Sequence, residues 1–214
     1  KQQAKEEKIM EANNKKEAID EETEVEDYSG NGNSFRLNDF AVLLMPFYES
    51  NKNIPAFFTR LLQSKDDMVR MNAAVLLLRN QHKVADSILQ QLAANDKRRG
   101  TLFYKLEKAG RLDQFPAAYK NQLALACSYL VRQLESEKMD AVVFLKKSPA
   151  SIKGKTGMLY FFKYRAKKTD DWKIGISGLQ PLEEKELSSN DEFTSLTDKK
   201  LVAAEPLDEQ LNQQ

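Results

Sequence analysis

The spacing of apolar residues changes its period once along this chain, and that change limits the folds open to it. From Phe35 to about Leu134 apolar residues recur at the intervals of three and four that mark amphipathic helices. After Lys138 they alternate or form short continuous runs, which is typical of strands. The order predicts an α+β fold, mainly α, in which stacked antiparallel helical hairpins precede a three-stranded antiparallel β-meander.

Linker and capping residues divide the helical part. Ser29 to Asn33 form a Gly/Asn linker, so we expect the helical hairpin domain to span residues 34–137. Asp66 or Asp67 can begin one helix and Asp96 another, because a short carboxylate accepts hydrogen bonds from the first N–H groups of a helix. A shift of 30 residues places Asp66 on Asp96 and aligns several apolar positions, which predicts two related helix pairs.

The first predicted helix carries an apolar stripe that we expect to be buried. Pro46 should end or kink this helix, because proline lacks the backbone N–H that a helix interior needs. The members of the stripe are Leu37, Phe40, Leu43, Leu44 and Phe47.

The segment Asp66-Asp67-Met68-Val69-Arg70-Met71-Asn72-Ala73-Ala74-Val75-Leu76 resembles the start of the second helix in a HEAT-type repeat. The shared pattern is an acidic cap, then Val-Arg, then Ala-Ala, then Leu. The resemblance, which extends over about residues 53–110, implies that Val69 and the alanines pack between helices. It is poorer over residues 84–110, where Lys97-Arg98-Arg99 replaces the Val-Arg step. An irregular helical bundle is the alternative.

The β part, residues 138–181, is expected to pack on the last helix, because a lone three-stranded sheet is marginally stable in water. Lys167 to Asp171 fit a hairpin loop. By strand alternation Trp172 shares a face with Ile174 and Ile176, and we expect Trp172 in the seam between sheet and helices. The three predicted strands are Ala141–Leu145, Met158–Tyr164 and Trp172–Ile176.

Both ends of the chain are acidic. Residues 1–29 hold five Lys against ten Asp and Glu, and residues 182–214 hold three basic against nine acidic side chains. We expect residues 1–33 to be a flexible charged arm with a linker, residues 182–214 to be an acidic tail, and residues 34–180 to fold without them. The net charge of +1 favours no class of partner.

Residues suited to catalysis or metal binding are scarce. A Ser-His-Asp or Cys-His site would have to use His82, the single histidine, which lies in a polar helix-end stretch. Cys127, the single cysteine, lies in an apolar helix, and one Cys with one His cannot make a zinc site. Gly154-Lys155-Thr156 resembles the end of a phosphate-binding loop, but Pro149 stands where that pattern needs glycine. We predict no catalytic residues, no cofactor and no metal.

Basic residues are the best candidates for contact with a partner. One group lies on a predicted helix and the other on the second predicted strand, where aromatic side chains alternate with them. Interleaved basic and aromatic residues on a sheet can bind single-stranded nucleic acid, so that partner is not excluded. The six candidates are Lys97, Arg98, Arg99, Lys105, Lys163 and Arg165.

The predicted function is a non-catalytic protein-interaction or scaffold module that binds another protein or other domains of the same full-length chain. The alternatives are a single-stranded nucleic-acid-binding module and a regulatory domain of an enzyme outside this chain. No apolar run approaches the ~20 residues that span a bilayer, so we expect a soluble segment. Because the chain starts at Lys1 without a signal pattern, we expect a piece of a longer anchored or exported protein.

Overall fold

The structure is a computed structural model that describes residues 32–134 and 139–201. Residues 1–31 of the predicted flexible arm and residues 202–214 of the predicted acidic tail lie outside the described residues. The described residues belong to two compact units, and the boundary between the units falls between Val69 and Arg70.

The fold class is α+β, with helices first and strands second, as the change of apolar period predicts. The described residues form six α-helices and one antiparallel sheet in the order β1-β2-β3-β4. The helices are α1 (Gly32–Leu44), α2 (Asn53–Leu62), α3 (Asp67–Arg79), α4 (Asp86–Ala94), α5 (Asp96–Lys108) and α6 (Gln122–Gln133). The strands are β1 (Ala141–Ile152), β2 (Lys155–Arg165), β3 (Lys173–Gln180) and β4 (Ser195–Lys200).

The predicted number of strands is wrong, because β4 lies within the segment that was expected to be an acidic tail. Its sequence, Ser195 to Lys200, carries one large apolar residue, Leu196, among polar and charged ones. A strand at the edge of a sheet needs few apolar side chains, since its backbone pairs on one side and faces solvent on the other. The composition of residues 195–200 therefore does not indicate a strand, and the sequence alone does not predict β4.

The apolar stripe predicted on α1 is largely exposed. Phe40, Leu43 and Phe47 are 59%, 68% and 56% exposed, whereas Ala41 and Met45 are buried. Because apolar residues run without interruption through this part of α1, their pattern does not determine which side of the helix is covered. The helix ends before Pro46, as predicted, and a short 3-10 turn follows.

Two equally long helices, α3 and α5, begin in the same way. Asp66 Oδ1 accepts from the N–H of Met68 at 2.7 Å, and Asn95 Oδ1 accepts from the N–H of Lys97 at 3.0 Å. Each cap is the residue before the helix, so the repeat between the caps is 29 residues and not the predicted 30. Asp96, which was expected to cap α5, is instead its first residue and pairs with Arg99 at 2.5 Å.

Helix α6 approaches α5 closely at Gly100. The N–H of Gly100 donates to Ser128 Oγ at 2.7 Å, and Ser128 Oγ donates to the carbonyl of Asp96 at 2.6 Å. A Cβ at Gly100 would lie 2.5 Å from Cε1 of Tyr129, which is too close for any side chain. Glycine therefore sets the distance between these two helices.

The sheet has two apolar faces. On the helix face, Tyr160 and Phe162 of β2 pack against Ala126 and Leu130 of α6. On the opposite, outer face, Phe161 packs with other apolar side chains of the sheet. The buried members of that outer cluster are Leu159, Phe161, Ile174 and Leu179.

Two short features complete the sheet. Lys153 and Gly154, both with positive φ, form the tight turn between β1 and β2, so Gly154-Lys155-Thr156 leads from a turn into a strand and holds no helix start. Helix α6 contacts all four strands and lies closest to β3, where a Cβ at Gly175 would meet Leu130 Cδ1 at 2.7 Å. The sheet thus packs against the last helix, α6.

The contacts of residues 181–201 lead to a prediction about truncation that differs from the one drawn from the sequence. A chain that ends at Gln180 loses β4 and the backbone carbonyls that pair with two buried side chains, Gln122 and Tyr129. At about 1–3 kcal/mol for each unpaired group, we expect its free energy of unfolding to fall by about 2–6 kcal/mol. Urea unfolding followed by circular dichroism measures this. A chain that ends at Leu201 keeps those contacts and is the control; equal stability of the two chains would contradict the prediction.

Candidate protein-interaction site

One concave surface of the second unit is a groove between α6 and the edge strand β1, which we call the α6–β1 groove. It consists of two adjoining hollows with volumes of about 240 and 260 Å³. The helix side is lined by Asn121, Gln122, Leu123, Ala124 and Cys127, the sheet side by Val142, Phe144, Lys147, Tyr160 and Phe162, and one end by Glu184.

The groove exposes large apolar side chains. Leu123 and Phe144 are 39% and 40% exposed, and each of these side chains lines the two hollows. The Phe144 ring lies against the buried ring of Phe162, with centroids 5.9 Å apart, so the backing of the groove is aromatic. Apolar groups grouped in a concavity mark a binding surface more often than scattered ones do.

One buried side chain, Gln122, holds the floor of the groove. Its amide nitrogen lies 2.9 Å from the carbonyl oxygen of Pro181, 2.9 Å from that of Glu183 and 2.8 Å from that of Glu186, so its two hydrogens are shared among three acceptors. Its amide oxygen accepts from the hydroxyl of Tyr160 at 2.7 Å. Gln122 thus ties the first turn of α6 both to β2 and to the connection between β3 and β4.

The rest of that connection is also held by side chains of the second unit. The Tyr129 hydroxyl donates to the Ser188 carbonyl at 2.9 Å, and the Gln180 side chain bonds both backbone groups of Ser188. Arg132 forms an ion pair with Asp191. Burial raises the pKa of the Tyr129 hydroxyl, which therefore stays protonated and remains a donor.

An exposed ion pair, Lys147–Glu184, stands at the end of the groove. The hydrogen bond from Lys147 holds the pKa of the Glu184 carboxyl below its ordinary value, and the same bond raises the pKa of Lys147. Both groups are therefore charged at neutral pH. Such exposed pairs contribute little stability.

Cys127 lines the groove but is a poor nucleophile. Burial raises the pKa of its thiol to about 11, with a further increase from the charge of Asp96 and a smaller opposing effect from Arg99. The thiolate is the reactive form of cysteine, and little of it is present at neutral pH.

The six basic residues predicted to contact a partner do not come together. Lys97, Arg98, Arg99 and Lys105 lie on α5, whereas Lys163 and Arg165 lie on β2. Strand alternation places Lys163 and Arg165 on the outer face of the sheet, away from the face that α6 covers. Their binding to a partner remains a prediction, and it would need two separate surfaces.

Arg99 has a structural role in the second unit. It is buried, and its guanidinium donates to the carbonyls of Ala93 at 2.7 Å and Ala124 at 3.0 Å. The guanidinium carbon also lies 5.0 Å from the centroid of the Tyr119 ring. Arg99 therefore joins the end of α4 to α6. Its neighbour Lys105 is half-buried, and this burial lowers the pKa of its ammonium group.

The prediction for Trp172 is wrong. Trp172 does share a face with Ile174, but that face is the outer one and not the seam with α6. The ring is half-buried, with Lys163 Nζ 4.6 Å and the Arg165 guanidinium carbon 4.5 Å from its centroid. Arg165 is held in turn by Asp140 at 2.7 Å. The cations that pack on the indole take the place of the helix that was expected there.

The aromatic side chains of β2 cannot serve as a stacking platform for bases. Tyr160, Phe162 and Tyr164 are buried on the helix face, and Phe161 is 8% exposed with Lys146 above its ring. Bases need an accessible ring face. In the described part of the sheet, accessible aromatic surface remains at Trp172, beside Lys163 and Arg165, and at Phe144 of β1.

Two further predictions concern His82 and the residues that could bind a metal ion. His82 is half-buried just after α3, and its backbone N–H donates to the Leu77 carbonyl at 3.0 Å. Within residues 32–134 and 139–201, no three His, Cys, Asp or Glu side chains are grouped as a metal site requires.

None of the helices in these ranges has the length and apolar character to cross a bilayer.

Comparisons with protein-family models, with curated proteins and with solved structures find no match to this chain. The resemblance to HEAT-type repeats therefore stays a prediction that rests on the quoted residues alone.

Sequence reasoning missed the groove. The sequence pattern predicts Leu123 and Phe144 to be ordinary core residues of a helix and a strand. Their exposure depends on where α6 lies across the sheet. Gln122 offered a local signal, since a long polar residue opens an otherwise apolar helix directly after a good capping residue, Asn121.

Replacing Gln122 by Leu tests its role. The change leaves the Tyr160 hydroxyl and three carbonyls without their partner, so we expect a loss of about 1–3 kcal/mol in the free energy of unfolding. Urea titration measures it. Gln133→Leu, at an exposed position of the same helix, is the matched control and should change stability little. Equal effects of the two substitutions would show that Gln122 is not the anchor.

Alkylation of Cys127 by iodoacetamide tests the raised pKa of the thiol. Relative to the ordinary value of 9.0, a pKa of about 11 lowers the thiolate fraction at pH 8 by ~100-fold. Because a thiolate of higher pKa is also the stronger nucleophile, we expect the folded chain to react at least ~10-fold more slowly than the urea-unfolded chain, with a rate that rises up to about pH 11. A rate that levels off near pH 9 in the folded chain would refute this.

Proposed function

We propose that this chain is a non-catalytic protein-interaction or scaffold module, and that it binds its partner at the α6–β1 groove. The observation that carries the proposal is the exposure of Leu123 and Phe144 side by side in a concave surface. Binding would remove these side chains from water, which is the main favourable term in protein association. The partner is another protein or another domain of the same full-length chain.

The support of the groove favours binding without rearrangement. Gln122 fixes its floor, and α6 is held on one side by Gly100 and on the other by Gly175. A surface that is already in its bound shape loses little conformational entropy when it binds.

The titratable side chains of the groove support a non-catalytic function. Lys147 and Glu184 neutralise each other, and burial keeps the thiol of Cys127 protonated. Nucleophilic catalysis needs an activating base or a lowered pKa, and the groove offers neither to Cys127.

We infer further that the helical part follows a HEAT-like plan of stacked hairpins. Helices α3 and α5 have the same length of 13 residues, and each begins after a side-chain cap, Asp66 or Asn95. A repeated helix length with a repeated cap supports a common repeat unit. Scaffold proteins built from such repeats bind partners along extended surfaces.

Two substitutions at neighbouring positions of β1 test the proposed function. Phe144 and Val143 are 40% and 41% exposed, but Phe144 faces the groove and Val143 faces the other side of the sheet. We expect Phe144→Glu to abolish retention of partner proteins from an extract of the producing organism, whereas Val143→Glu should leave retention unchanged. Quantitative mass spectrometry of the retained proteins measures the difference.

The comparison is made only with variants whose thermal unfolding matches that of the unmodified chain. The proposal predicts at least one protein that is retained by the unmodified chain and by Val143→Glu and is depleted more than tenfold by Phe144→Glu. If the two variants retain the same proteins in equal amounts, the groove is not the binding surface.

A further inference from the structure

We propose that the outer face of the sheet is the docking surface for residues 202–214 of this same chain. The apolar side chains of that segment pack on the outer cluster, and its carboxylates lie beside the cations Lys146, Lys163 and Arg165. The contact is intramolecular and closes the side of the sheet on which Trp172 lies. It concerns the face opposite the α6–β1 groove and does not rest on the proposed function.

The outer face of the sheet is apolar and buried, as a covered face is. Ile174 is 0% exposed and Phe161 is 8% exposed. Helix α6 covers the other face, and the described apolar side chains that reach the outer cluster from outside the strands are Phe193 and Leu201. An antiparallel sheet with one face open to water carries polar side chains on that face. The apolar outer face therefore requires a cover.

The chain reaches this face at the last described residue. Leu201 follows β4 and packs against the outer cluster, and its backbone N–H donates to the Trp172 carbonyl at 2.7 Å. Residues 202–214 continue from this point. In extended form they reach about 40 Å, whereas four strands spaced about 4.8 Å apart are about 15 Å across. The segment is thus long enough to cross the sheet from β4 to β1.

The composition of residues 202–214 matches an apolar face with positive charges on it. The segment has no basic residue. Its large apolar residues are Val202, Leu207 and Leu211, and its charged residues are Glu205, Asp208 and Glu209.

The sheet presents the complementary charges around the outer cluster. Lys146 Nζ lies 5.7 Å from the centroid of the Phe161 ring, and Lys163 and Arg165 pack on the ring of Trp172. Asp140 pairs with Arg165, which leaves the group with a net positive charge. Carboxylates that lie beside these cations gain attraction while the leucines leave water.

The covalent link favours this segment over a separate occupant. Because Leu201 is already seated on the outer cluster, the residues that follow it are held near the face at a high effective concentration, of the order of millimolar for a short flexible link. A second copy of the chain or another protein would have to displace them.

A nitroxide attached to the segment tests where it lies. Asn212→Cys in the full chain, combined with Cys127→Ala, leaves one labelling site, and ¹⁵N-labelled amides near the nitroxide lose NMR signal intensity. We expect this loss for Phe161 and Ile174. Leu102 and Leu106 of α5, on the far side of α6 from the sheet, should keep full intensity.

Iodide quenching of Trp172 fluorescence tests the contacts of the segment, because Trp172 is the single tryptophan and iodide is an anion. Leu207→Glu with Leu211→Glu removes the apolar contacts, so we expect the quenching constant to rise at least twofold. Gln210→Glu with Gln213→Glu adds the same charge, keeps both leucines and should leave the constant unchanged. Circular dichroism checks that each variant is folded.

Three results would overturn the inference. Two are full intensity of the Phe161 and Ile174 signals in the nitroxide-labelled chain, and equal quenching in the two double variants. The third is a loss of intensity in a mixture of nitroxide-labelled ¹⁴N chains with unlabelled ¹⁵N chains, because that result assigns the cover to a second copy. Retention of partners at the groove depends on Phe144 and not on Leu207 or Leu211, so the proposed function fails or holds separately.

Discussion

The second unit depends on the close contact of α6 with a layer on either side. Tyr129 and Leu130 are consecutive residues of α6 that point in different directions, one onto Gly100 of α5 and the other onto Gly175 of β3. A Cβ at Gly100 would lie 2.5 Å from Tyr129 Cε1 and one at Gly175 would lie 2.7 Å from Leu130 Cδ1, so either substitution would force these contacts to shift. Because α6 is held between these two points, its lateral position on the sheet is fixed, and the groove beside it is a consequence of that position.

The order and class of the elements could be predicted from the sequence, because both follow from local periodicity. The failures share a cause: each depends on what covers a residue from a distance. The α1 stripe was expected to be buried, yet Phe40 and Leu43 are exposed, and Trp172 was assigned the correct strand neighbours but the wrong covering layer. Strand β4 was not predicted, because its backbone pairing with β3, and not its composition, holds it in the sheet.

The candidate site was beyond sequence reasoning for the same physical reason. Basic residues were selected because they cluster along the chain, but Arg99 turned out to join two helices, and Lys163 lies on the outer face. The groove instead combines residues of α6 and β1 that look like ordinary core positions when each element is considered alone. Only the placement of α6 over β3 leaves Leu123 and Phe144 in contact with water.

The contacts of Gln122 also impose an order of events on the ribosome. Its three carbonyl partners, Pro181, Glu183 and Glu186, follow it by 59, 61 and 64 residues. The helix and the first strand therefore leave the exit tunnel well before the floor between them can close. A nascent chain presents an incomplete groove until the connection after β3 has emerged, so a partner that recognises the finished surface meets it only when synthesis of this region is almost complete.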